Sequence, residues 1–478
     1  MADDLSPKGV TPAFLETARQ LLGDKGLVID ADEVAPYIAD WRGRWRGETP
    51  AVVKPASTEE TAAFMKLCAE HGVAVTPQGG NTGLVNGGVP YGEILISMTR
   101  MRAVRDIDPI NDSITVEAGA VLANVQDAAE EAGRFFPLSL GSEGNATIGG
   151  LISTNAGGVA VLRYGMMRDL VLGLEAVLPD GRIWNGLTAL RKDNTGYDLK
   201  HLFIGAEGTL GVVTAATLKL FPQMAAKEVA WASVASARDA VELLSLMKQE
   251  TGGAVTSFEL IPARGVDLVL KHIPDTRDPL PSDKPWRVLV ELSFAKREGA
   301  RDAMETALGA GFEKGLVDDA VIAESDAQSA AIWKLRETLP EAEKLDGKAV
   351  KHDVSVPISA LSEFVERTET EVLKQFPGTH IMAFGHVGDG NMHYNVVPPA
   401  SVDDSEYVEA EGAAIMALVH DIVGELGGSI SAEHGIGLLK RDDLAARTSP
   451  VAIDLMQTLK AALDPDGRMN PGRVIAAR

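Results

Sequence analysis

Apolar positions along the chain fall into two textures. Up to about residue 220, short apolar runs at 73–76, 93–98 and 113–117 alternate with helical patterns near 58–71 and 121–132. Ser57 with Glu60 forms a capping-box pattern ahead of the first helix, and Gly72 is placed to stop it. The run LVLGLEAVL reads as a strand turning at Asp180-Gly181. From about 226, EVAWASVA, a helix at 237–251 and AVTSFELI make one β-α-β unit, and WRVLVELSF, a helix near 297–309 and AVIAES make another. A long helix (DAQSAAIWKLRETLPEAEKL), the strand AVKHDVSVP, a helix at 358–375, a two-strand segment around 379–397 and a helical tail follow. The pattern predicts an α+β chain with a boundary near Phe221-Pro222.

Composition narrows the function. The chain has 478 residues, 45% hydrophobic and 24% charged, enough for several domains with ordinary cores. Its net charge of −23 argues against a nucleic-acid partner, which calls for a basic face. An anionic substrate would need a local cationic pocket. The single cysteine, Cys68, rules out a disulfide framework. No segment approaches the roughly 18 apolar residues of a membrane span, and the start MADDLSPKG lacks a signal-peptide pattern. The expectation is a cytoplasmic protein without a membrane span.

Glycine is concentrated at 72–92, 141–158 and 205–211. Glycine exposes N–H groups and reaches positive φ, so such loops can form anion-binding nests. One such cluster could be mere turns; three beside strands point to backbone closing on a large, flat or phosphorylated ligand. Neither GxGxxG opening a helix nor GxxxxGK[ST] occurs. The segments PQGGNTGLVNGG (77–88), GNATIGGLISTNAGG (144–158) and DNTGYDLKHLFIGAEGTLGVVT (193–214) resemble the flavin-binding domain of the vanillyl-alcohol-oxidase/PCMH superfamily. Within it they are most similar to the FAD-dependent D-2-hydroxy-acid dehydrogenases, the group of the D-2-hydroxyglutarate and D-lactate enzymes and the glycolate oxidase D subunit.

That resemblance, over roughly residues 50 to 475, implies a PCMH-type two-subdomain FAD-binding domain, a ferredoxin-like α/β substrate domain and a small C-terminal helical segment. The expected limits are 1–49 for an N-terminal helical segment, 50–224 for the flavin domain, 225–429 for the substrate domain and 430–478 for the segment completing the site. It implies that Pro77, Gly79, Gly80, Asn81, Thr82 and Gly83 wrap the FAD pyrophosphate, and that Gly144, Asn145, Thr147, Gly149, Gly150, Ser153, Asn155 and Gly157 line the path to it. Glu207, Gly208, Val213 and Asn470 would lie along adenine or isoalloxazine. PQGGNTGLVNGG holds no His or Cys, so non-covalent FAD is expected.

The segment FGHVGDGNMHYNV carries its own chemistry. Asp389-Gly390 is a two-residue hairpin signal, and a turn centred there sets His386 directly opposite His393. Opposed side chains share a face about 4.5–5.5 Å apart at Cβ, suited to two imidazoles on one divalent ion. Asn395 faces the same way as His393. SAEHGIG (431–437) offers Glu433 as a third ligand, and the resemblance supports His386, His393 and Glu433 as the set, with zinc usual. It also implies His434 as general base and substrate contact; the plainer alternative is that His434 only orients Glu433 or substrate.

In the strand 350–356, Lys351, Asp353 and Ser355 share one face, while His352 falls on the mainly apolar one and reads as a core histidine. Alone, Arg336 would read as a solvated helix residue. The resemblance matches Arg336 and Lys351 to cations that hold a distal substrate carboxylate. Pro340 stands where the dicarboxylate pocket of that group has a threonine, which keeps D-malate, D-lactate and glycolate open beside D-2-hydroxyglutarate. The reaction expected is oxidation of a small anionic D-2-hydroxy acid to the 2-oxo acid, with an electron-transfer flavoprotein or a quinone as acceptor. The alternatives are a D-lactate-type enzyme and a non-catalytic flavin-binding subunit; a homodimer stays open.

Overall fold

Ser57 and Gly72 bracket the helix Thr58–His71 as the capping pattern predicts. The Ser57 hydroxyl accepts from Glu60 N at 3.1 Å and the Glu60 carboxylate from Ala56 N at 2.7 Å, while Gly72 is left-handed (φ 66°). The computed structural model describes residues 9–476, so the first eight residues of the expected N-terminal segment lie outside it. Two units make up the chain. One runs through Gly158, resumes over Gly165–Gln223 and closes from Glu433 onward; the other is Val159–Tyr164 with Met224–Ala432.

The first unit has two principal sheets. In one, Val75–Gln78 and Val52–Val53 each run parallel to Ile94–Ser97, and Leu27–Val28 closes the edge antiparallel. The other is antiparallel: Val104–Asp108, Ser113–Glu117, Val212–Lys219, Val171–Val177 and Ile183–Gly186, in that order. Val171–Val177 is buried along its whole length, Glu175 included, which is why it reads as a nearly continuous apolar run rather than an alternation. Its predicted turn forms, with Leu178 N donating to Arg182 O at 2.9 Å.

The second unit is one seven-stranded antiparallel sheet. Ala226–Val234, Val255–Pro262, Trp286–Phe294 and Asp319–Ile322 lie in the order fourth, first, third, second, the ferredoxin-like arrangement. His380–His386 adds to Val255–Pro262, Asn391–Val397 follows, and Val350–Ser355 forms the edge. Phe258, Leu260, Ala383, Tyr394 and Val354 pack on one face against helices that include Ala237–Glu250 and Leu361–Gln375. Ile261, Leu289, Met382 and Phe384 pack on the other against Leu335, Leu339 and Ala342. These come from Asp326–Glu337 and Leu339–Asp346. Period-2 alternation on adjacent strands therefore delivers one set of polar side chains beneath those two helices.

Candidate active site

In the first unit the three glycine-rich segments converge. An ideal Cβ on Gly79 would stand 2.3 Å from Thr147 Oγ1, one on Gly80 1.9 Å from Asn145 O, and one on Gly208 3.1 Å from Pro77 Cγ. Glu207 N donates to Ser153 O at 2.8 Å, and Gly149 N to Ala118 O at 2.7 Å. Asn81, Asn155, Glu207 and Asn470 all have positive φ, between 45° and 53°. Left-handed non-glycine residues are uncommon, and their grouping in these loops fits a functional site.

The donors suit a large anion. Among the described residues, none of the N–H groups of 79–83 donates to another protein group. Thr147 Oγ1 is buried without a partner, as is Asn470 Oδ1. Asn470 donates through Nδ2 to Glu207 O (2.8 Å) and Gly87 O (3.0 Å). Ser153 instead donates to Gly149 O within its own helix, and Gly144 with Asn145 forms an exposed turn. Gly83 is open, Gly150 lies against Thr147, Gly157 is buried, and Val213 pairs with Ala176 inside the sheet.

Glu207, expected from the resemblance to lie along a flavin ring, has protein partners of its own. Its carboxylate accepts from Ile436 N at 2.7 Å and Gly437 N at 2.8 Å, and burial pushes its acid up in pKa. It thus fastens the loop that carries Glu433 and His434.

In the second unit, the hairpin register corrects the sequence expectation. His386 pairs with Asn391, and His393 with Phe384. A two-residue type I′ turn needs positive φ at both central residues; Gly390 has it (φ 78°) and Asp389 does not. The chain instead turns over Val387–Gly390, with Gly390 N donating to His386 O at 3.1 Å. The shift is two residues, so parity survives and both histidines keep one face. Their ring centroids lie 5.9 Å apart, crossed at 76°. His386 and His393 thus offer two imidazoles to one ion, while Glu433, the expected third ligand, belongs to the first unit. Two imidazoles and a carboxylate suit a divalent transition metal.

Carboxylates to which the sequence reading gave no site role stand behind these side chains. Glu259, fully buried, sits opposite His386 across the strand pair. Its Oε1 lies 2.6 Å from His386 Nδ1 and its Oε2 accepts from Arg336 Nε at 2.8 Å. The His386 and Arg336 charges hold its pKa down at about 2 against the cost of burial. Asp353 lies 3.8 Å from His393 Nδ1 and accepts from Asn391 Nδ2 at 2.9 Å. Glu343 accepts from Asn395 Nδ2 at 2.9 Å and from Lys351 Nζ at 3.2 Å. Arg336 is buried, its guanidinium carbon 5.1 Å from the Phe384 ring centroid. His352 faces the core, its ring 5.7 Å from that of His420. The sequence holds one signal for Glu259: it is the one charged residue in the strand Val255–Pro262, set between Phe258 and Leu260.

Comparison with known proteins adds the following. Residues 49–186 match the FAD binding domain family, and residues 223–474 match the C-terminal domain of FAD linked oxidases. The chain is 38% identical over 459 residues to a probable mitochondrial D-2-hydroxyglutarate dehydrogenase of Oryza sativa subsp. indica, covering 96% of this chain and 80% of that one. It is 34% identical to a putative mitochondrial D-lactate dehydrogenase of Schizosaccharomyces pombe, covering 96% and 90%. A crystal structure of p-cresol methylhydroxylase with substrate bound shares the fold at a TM-score of 0.72 and 17% identity, over 98% of this chain and 99% of that chain. The cytoplasmic expectation is corrected by these relatives, which are named as mitochondrial. Among the described residues no helix is long and apolar enough to cross a membrane.

Proposed function

This chain belongs to the FAD-linked oxidase family of D-2-hydroxy-acid dehydrogenases, and from that premise we propose that it oxidises D-2-hydroxyglutarate to 2-oxoglutarate with a divalent ion, zinc first, as a second cofactor. The observation that carries the reading is the same-face pair His386 and His393, with Arg336 anchored beside them through Glu259.

FAD, when bound, would supply the acceptor for the α-hydrogen as hydride. The free N–H groups of 79–83 hold its pyrophosphate, with Pro77 bordering that loop. Cys68 faces the core and burial pushes its thiol up in pKa, which supports non-covalent attachment. His386, His393 and Glu433 would hold a divalent ion, which would supply Lewis-acid activation of a substrate hydroxyl. His434 takes the hydroxyl proton as the general base. Arg336 and Lys351 hold the distal carboxylate, and Asn395 lends an amide to the same face. Electrons leave to an electron-transfer flavoprotein or a quinone.

A second reading, a monocarboxylate such as D-lactate, is favoured by one observation: Glu343 already engages both Lys351 and Asn395. Dye-linked turnover of metal-analysed protein on paired D- and L-2-hydroxy acids, with and without chelator, tests the proposal. We expect turnover of D-2-hydroxyglutarate but not of its L-isomer, lost on chelation and restored by Zn²⁺. Failure of every D-acid with FAD bound sinks the substrate class; activity indifferent to chelator sinks the metal.

A further inference from the structure

Glu259 is the least accessible acid in the second unit, at 0% exposure, and it is bound on both oxygens. Burying an ionised carboxylate costs several kcal/mol unless charged donors surround it. Here Arg336 Nε and His386 Nδ1 supply them at 2.8 and 2.6 Å. A group retained at such cost, between a proposed metal ligand and a proposed substrate cation, calls for a role in setting both.

We propose that Glu259 is a positioning residue that fixes the His386 imidazole and the Arg336 guanidinium together. Resting on the metal reading above, the inference names the groups that make the site selective for ion and anion at once. A carboxylate at Nδ1 keeps the ring proton on that nitrogen, so Nε2 presents its lone pair to an ion and gains basicity. The planar fork of Arg336 has one edge tied at Nε, which leaves its terminal nitrogens to meet a substrate carboxylate in a fixed plane. Register builds the arrangement: Glu259 and His386 are direct partners across antiparallel strands, so their side chains leave the sheet on one face. The helix Asp326–Glu337 lays Arg336 over that face. His393 has its own carboxylate, Asp353, but at 3.8 Å and on a more open ring. Glu259 is therefore the tighter orienting group.

The test is Zn²⁺ affinity, read apart from turnover. Flavin-loaded wild type, Glu259→Gln and Glu259→Asp are stripped with chelator and titrated with Zn²⁺ against a chromophoric chelator. Loss of an outer-shell partner of this kind typically weakens metal binding about 10–100-fold. We expect that loss for Glu259→Gln, a smaller one for Glu259→Asp, and a raised KM for the substrate in both. Retained flavin absorbance reports that the first unit is intact. If Glu259→Gln does not fold, Glu259→Asp decides, since it keeps the buried charge but shortens its reach. Zn²⁺ affinity within twofold of wild type in the folded variants overturns the role of Glu259. Wild type that binds no Zn²⁺ overturns the metal reading itself, and the inference with it.

Discussion

Lys351 Nζ stands 3.2 Å from Glu343 Oε2, so one of the two cations expected to hold a distal substrate carboxylate already faces a buried carboxylate. Asn395 donates to both oxygens of the same group at 2.9 Å. Two like charges about 4 Å apart near a protein surface repel by up to about 4 kcal/mol, far more than the 1.4 kcal/mol that changes an affinity tenfold. Glu343 therefore works against a second substrate carboxylate at Lys351. Glu343→Gln should raise the ratio of kcat/KM for D-2-hydroxyglutarate over D-lactate by roughly tenfold. In a Lys351→Met background the same change should shift the ratio much less. Steady-state kinetics on both acids checks this, and an unchanged ratio would show that Glu343 only braces the helix Leu339–Asp346.

His434 follows Glu433 on a loop held by Glu207 through the N–H groups of Ile436 and Gly437. A positioned base contributes about 10²–10⁴-fold. His434→Asn should therefore cut kcat by that range while FAD and Zn²⁺ stay at wild-type stoichiometry, by absorbance and metal analysis. Near-normal turnover would leave His434 an orienting role only. Glu207→Ala should loosen the loop and raise KM as well as lowering kcat, a mixed effect that separates holding the loop from doing the chemistry.

What the sequence made legible was periodicity. The alternation in AVKHDVSVP put Lys351 and Asp353 on one face and His352 on the other, as the register with Asn391–Val397 has them. The hairpin shows the limit: Asp389-Gly390 named a turn but not its length. The two histidines stayed on one face because the slip was even; a slip of one residue would have sent His393 into the core. Glu259 and Glu343 were out of reach for another reason. Glu259 lies 127 residues from His386 and Glu343 lies 52 from Asn395, although Lys351 is only eight residues beyond Glu343. A buried acid carries no local pattern that says which cation it will meet.

The flavin loops allow a test that separates folding from ligand contact. A Cβ on Gly80 would meet the backbone oxygen of Asn145 at 1.9 Å, whereas one on Gly83 has nothing within 4 Å. Gly80→Ala should destabilise the protein even without flavin, by about 1–3 kcal/mol as overpacked sites do. Gly83→Ala should leave the melting temperature of the flavin-free protein unchanged and still reduce FAD retention, because its methyl group projects where a ligand would lie against the loop. Thermal melts of stripped protein, paired with flavin absorbance after gel filtration, distinguish the two. Full FAD retention by Gly83→Ala would move the pyrophosphate off this loop.

Glu259 also sets how the second unit responds to acid. Its carboxyl sits at about 2 in the folded protein against an ordinary value of 4.5, chiefly because His386 and Arg336 outweigh the cost of burial. A carboxyl with a depressed folded pKa takes up its proton more readily when unfolded, so it stabilises the fold at pH values above 4.5. That contribution fades as pH falls from 4.5 toward 2, as the unfolded chain protonates first and the folded site follows. It is on the order of a few kcal/mol. Glu259→Gln removes the titrating group, so the variant should be markedly less stable than wild type at pH 6 and lose less on acidification. Urea denaturation of both proteins at pH 6, 4 and 3 reads the difference directly. It should shrink steadily over that series, and a gap that stays constant with pH would mean that Glu259 acts through packing rather than charge.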